Sequence, residues 1–86
     1  MKEYRIDYDM FTTAEIVKIF AFFALIESTK KRSVSPSLLV EKYQEYRTIL
    51  NNKSLEKKYD KMLFTNTKVS IYETIKQAKE KLNHAP

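Results

Sequence analysis

The chain has no cysteine, no glycine and no tryptophan, and only one histidine. Without cysteine there can be no disulfide, thiolate zinc site, iron–sulfur cluster or cysteine nucleophile. Without glycine there is no P-loop and no GxGxxG dinucleotide turn. Long apolar runs are missing too. The most apolar stretch covers residues 19–26, bracketed by Lys18 and Glu27. It falls far short of the roughly 20 residues that span a bilayer. The first ten residues, MKEYRIDYDM, mix acids with bases and hold no apolar segment, so they do not read as a signal peptide. A soluble, cytoplasmic protein without a membrane partner is the expectation.

What is present is enough to fold. Apolar residues make up 43% of the 86 positions. A chain of this length buries only about 60–65% of the surface it exposes when unfolded, so one thin core is expected. Sixteen Lys and Arg against eleven Asp and Glu give a formal charge of +5. That charge is uneven. Residues 1–27 carry three bases and five acids, residues 28–52 five bases and two acids, and residues 53–86 eight bases and four acids.

The pattern predicts one all-α domain over residues 1–86, a small four-helix unit. Residues 1–11 read as an extended arm, with Tyr4, Ile6, Tyr8 and Met10 alternating against Glu3, Arg5, Asp7 and Asp9. A first helix is expected from Thr12 or Thr13 to about Ser28, because Thr12 and Glu15 have capping-box spacing. It is apolar nearly all round, the signature of a central, largely buried helix. Ser35 followed by Pro36 marks the start of a second helix. Asn51-Asn52 ends it, since Asn tolerates the left-handed conformation. A third helix is expected after Ser54 to about Phe64, and a fourth after Ser70, with Glu73 completing a second box. Residues 83–86 read as a frayed tail. Helical spacing nominates Ile16, Ile19, Phe20, Phe23, Leu39, Tyr43, Ile75 and Leu82 as core.

Five segments, DYD ahead of a capped helix, EIVKIFAFFALIE, LLVEKYQEYRTIL, NKSLEKKYDKM and VSIYETIKQAKEKL, occur in an order and spacing that resembles the small uncharacterised YktA-like family of low-GC Gram-positive bacteria. The resemblance covers about residues 4–82. It implies an all-helical fold and brings no activity, cofactor or catalytic residue with it. Members of that family usually carry a glycine before the last helix, where this chain has Asn66-Thr67-Lys68-Val69-Ser70.

Catalytic chemistry has little to stand on. Acid–base work needs a carboxylate or histidine held near another titrating group. Asp7 and Asp9 share a side of the arm, but solubility explains them as well as a weak metal site does. His84, third from the end, lacks neighbours. A non-enzyme without cofactor or metal is expected. Lys53, Lys57, Lys58 and Lys61 cluster on the third helix and are candidate phosphate contacts, but Glu56 and Asp60 interrupt them as they would on a solvated face. The favoured reading is a protein-interaction or self-association module. Symmetric homodimers are the commonest soluble oligomers. Its candidate surface is the edge between arm and first helix, at Tyr4, Tyr8, Phe22 and Leu25. Nucleic-acid association through the lysines is the alternative.

Overall fold

The computed structural model describes residues 6–83. Four α-helices account for most of them: α1, Thr13–Ser28; α2, Pro36–Leu50; α3, Lys53–Thr67; and α4, Ile71–Asn83. A single 3-10 turn, Tyr8–Met10, precedes α1. The expected arm therefore turns before α1 in its described part, and the rest of it, residues 1–5, lies outside the described residues.

The caps do the punctuating. The Thr12 hydroxyl accepts from the Glu15 N–H at 3.1 Å, and Glu15 Oε1 accepts from the Thr12 N–H at 2.8 Å. Ser35 caps α2, accepting weakly from Leu38 N–H at 3.5 Å, with Pro36 in the first turn. Asn51 closes α2 in the left-handed conformation, φ 46° and ψ 37°. Asn52, rather than the expected Ser54, then caps α3 by accepting from the Leu55 N–H at 3.1 Å. Two residues thus separate α2 from α3. Ser70 accepts from the Glu73 N–H at 3.2 Å and starts α4.

α3 runs about a turn further than the expected end near Phe64, to Thr67. Thr67 explains this. It is 1% exposed, its hydroxyl donates to the Leu63 carbonyl at 2.8 Å and accepts from the Val69 N–H at 3.1 Å. The chain leaves the helix at Lys68, which takes the left-handed conformation with φ 64°. At the other end of the molecule, α4 keeps Asn83 helical; residues 84–86, with His84, lie outside the described residues.

The hub is α2 rather than α1, since it packs on each of the other three helices. α1 is apolar all round but buries one side only: Ile19, Phe22, Phe23 and Ile26 face inward, while Val17, Ala21 and Ala24 are exposed. The core holds Ile19, Phe23, Leu39 and Ile75 as expected, joined by Tyr46, Leu50, Tyr59, Leu63 and Ile71. Phe20 and Tyr43 are half-buried, as is Ile16. Leu82 is corrected outright: it is 42% exposed, in a last turn of α4 where residues 79–83 are all exposed. Aromatic edges organise the centre. Phe23 meets Tyr46 and Tyr59 edge-on, with centroids 5.8 and 6.2 Å apart.

Candidate functional site

Of the four residues proposed as an interaction surface, Tyr8, Phe22 and Leu25 are among the described residues. Tyr4 lies outside the described residues. Tyr8 is exposed on the 3-10 turn. The turn is tied to α3, not to the free side of α1. The Asp7 N–H donates to the Tyr59 hydroxyl at 3.3 Å, and Lys58 reaches the Asp7 carboxylate at 3.8 Å. Ile6 goes into the core at 6% exposure.

Phe22 and Leu25 do come together, in a groove between α1 and α2. The groove has a volume of about 240 Å³. Phe22 is its floor rather than its rim, 3% exposed and stacked on Tyr46 with centroids 4.5 Å apart. Leu25 is half-buried on one wall, and Leu38 stands on the other at 37% exposure. Ala21 opens the groove toward the exposed outer face of α1. Lys18, Lys42 and Glu45 line the rim. Lys42 and Glu45 pair at 3.0 Å, and the Glu45 hydrogen bond holds the Lys42 ammonium more firmly protonated than usual. Leu38 was legible as the start of an i, i+4, i+7 row with Lys42 and Glu45 beside the α2 core stripe.

The phosphate candidates also divide. Lys53 and Lys57 line a cavity of about 370 Å³ between α2, α3 and α4, together with Arg47, Glu56 and Asp60. Lys58 sits at Asp7 instead, and Lys61 is exposed elsewhere on α3. Carboxylates have work in this cavity. Glu56 pairs with Arg47 at 3.5 Å, joining α3 to α2, and Asp60 accepts from the Ile71 N–H at 3.0 Å, capping α4 from a neighbouring helix. The Tyr43 ring lies between two cations, Arg47 and Lys79, each 5.7 Å from its centre.

The Tyr46 hydroxyl is buried and has no hydrogen-bond partner among the described residues. Burial pushes its ionisation well above the ordinary tyrosine value, and the Glu56 and Asp60 carboxylates add to the rise. Tyr43 and Tyr59 shift the same way, each mainly through burial. Among the described residues no group of three or more His, Cys, Asp or Glu is placed to hold a metal ion. No helix there is long and apolar enough to cross a membrane.

These features define a small, all-helical protein, with several of its polar side chains engaged in caps and inter-helix ties. The comparisons then give its family. The chain matches the family model described as Uncharacterised protein family (UPF0223) over residues 2–85, and it belongs to that family. A UPF0223 protein of Bacillus mycoides is 35% identical over 78 residues, covering 91% of this chain and 86% of the relative. One from Streptococcus mutans is 32% identical over 81 residues, covering 93% and 88%. One from Lactiplantibacillus plantarum is 30% identical over 78 residues, covering 91% and 79%. The resemblance carried by the five sequence segments is borne out. No solved structure matches the chain.

Proposed function

We propose that this protein is a non-enzymatic interaction module that binds a second copy of itself through the α1–α2 groove. One observation carries the reading. The outer face of α1, at Val17, Ala21 and Ala24, is apolar and exposed, and through Ala21 it adjoins the groove walled by Leu25 and Leu38, with Lys18 at the edge between them. Contiguous exposed apolar surface on a small protein marks a contact site. The groove and the ridge beside it are self-complementary in kind, which a two-fold interface requires: each copy offers a ridge and receives one. On the rim Lys42 and Glu45 neutralise each other, so its net charge is that of Lys18.

The net charge of +5 on each copy opposes association, so screening should promote it. Size exclusion with light scattering tests this. The wild type should approach twice the 10.2 kDa chain mass as concentration and salt rise. Leu38→Glu, at an exposed position, should stay monomeric and folded. A wild type that is monomeric throughout would remove the proposal. The lysines of α3 give less support to a nucleic-acid role, since Lys58 lies at Asp7 and the Lys53–Lys57 cavity contains two carboxylates.

A further inference from the structure

We infer that the cleft between the α1–α2 connector and α4 binds a compact polyphosphate group. The connector carries Lys30, Lys31, Arg32 and Ser33, and it faces Gln77 and Lys81 on α4 across a cavity of about 410 Å³. That is within the roughly 300–1,000 Å³ of small-ligand pockets. Four cations line it, and among the described residues no carboxylate does. This separates it from the cavity at Lys53 and Lys57, whose cations face Glu56 and Asp60. On α4, Glu80 lines a different cavity with Lys76 and Lys79.

The connector is built to hold its charges in place. The Lys31 and Arg32 N–H groups both donate to the Ser28 carbonyl, at 3.0 and 3.1 Å. The Lys30 ammonium donates to the Thr67 carbonyl at 2.6 Å, anchoring the connector to the end of α3. Lys31, Arg32 and Lys81 have no ion-pair partner among the described residues. Like charges gathered in one cleft repel each other, and a multiply charged anion relieves that repulsion. The first turn of α2, at Pro36, adds the positive end of a helix to the same wall.

The lining also selects the ligand. Arg32 offers a planar fork suited to phosphate oxygens, and the two Lys groups are point charges that bridge successive phosphates. Ser33 and Gln77 supply neutral donors. Among the described residues no aromatic ring lines the cleft to stack a base. Recognition is therefore of the phosphates and not of a nucleobase. A cleft between two segments, rather than a stripe along one helix, fits a short polyphosphate better than a nucleic-acid backbone.

Titration calorimetry and amide chemical-shift mapping test the inference, with tripolyphosphate, adenosine triphosphate, orthophosphate and a single-stranded oligonucleotide as separate ligands. Tripolyphosphate should bind saturably at one site, with shifts confined to residues 29–36 and the Thr74–Lys81 face. Adenosine triphosphate should bind similarly, and orthophosphate more weakly. Arg32→Gln and Lys81→Gln should each weaken tripolyphosphate by about tenfold or more, while Lys57→Gln should leave it unchanged. Both altered side chains are exposed, and melting curves confirm that the variants fold; should Arg32→Gln not fold, Lys81→Gln carries the test alone. Four results would overturn the inference: no saturable binding, an equal loss in Lys57→Gln, tighter binding of the oligonucleotide, or a large preference for the nucleotide over tripolyphosphate.

Discussion

Phe22 of α1 stacks on Tyr46 of α2, with ring centroids 4.5 Å apart and planes inclined by 24°. This contact fixes which way α1 faces. It turns Phe22 inward and leaves Val17, Ala21 and Ala24 to solvent. It also places the Tyr46 hydroxyl where the carboxylates of Glu56 and Asp60 act on it.

Tyr46→Phe should therefore be neutral or stabilising. The hydroxyl has no protein partner among the described residues, so its removal relieves a desolvation cost of about 1–3 kcal/mol instead of breaking a bond. Thermal denaturation checks this. A melting temperature several degrees lower would show that the hydroxyl supports the fold.

Alkaline pH should unfold the protein through the same residue. Folding raises the Tyr46 ionisation above the ordinary value of 10.0, so its contribution is intact below that value. Above it, the unfolded chain ionises first, and stability falls by about 1.4 kcal/mol per pH unit for one such group. Tyr43 and Tyr59 shift in the same direction. Ultraviolet titration of the tyrosines alongside circular dichroism should show part of the ionisation coinciding with unfolding. Six tyrosines titrating near the ordinary value with the helices intact would contradict it.

Phe23→Ala should cost about 3–5 kcal/mol, through lost transfer energy and the cavity left behind. Phe23 is fully buried between the Tyr46 and Tyr59 rings. In a domain of this size that loss approaches the whole stability. Urea denaturation measures it, and a midpoint close to wild type would mean that the centre of the core lies elsewhere.

Lys68→Gly should stabilise the protein by about 1 kcal/mol, since a side chain in the left-handed region costs about 1–2 kcal/mol. Lys68 holds φ 64° at the end of α3. It stands in the stretch where the family that the sequence resembles usually has glycine. A comparison of urea midpoints decides it, and a lower midpoint for Lys68→Gly would show that the lysine side chain contributes more than the strain costs.

Much of the architecture was legible in the sequence because caps are local. Thr12 with Glu15, Ser35 with Pro36, Asn51, and Ser70 with Glu73 each act within one turn of chain, so their spacing predicts their effect. The start of α3 was less so. Asn52 and Ser54 both suit an N-cap, and the left-handed turn at Asn51 leaves Asn52 in extended geometry to take the role. The orientation of α1 was read only in part from periodicity, which placed Ile19 and Phe23 in the core but put Phe20 rather than Phe22 beside them. A helix apolar on every side gives no preferred face, and only the partner ring at Tyr46 decides that Phe22 is inside and Phe20 half out. The tie between the arm and α3 was hidden for a related reason. Alternation in the arm says nothing of which helix it meets, and the Tyr59 hydroxyl draws Asp7 to α3.

The groove's role as a self-contact is tested most directly by isotope-filtered nuclear Overhauser spectroscopy on a mixture of labelled and unlabelled chains at high concentration. A self-contact through the groove should give intermolecular cross-peaks between the Leu25 and Leu38 methyls of one copy and the Val17, Ala21 and Ala24 methyls of the other, lost in Leu38→Glu. Absence of intermolecular cross-peaks, or cross-peaks centred on Tyr8 and Phe64 instead, would contradict it.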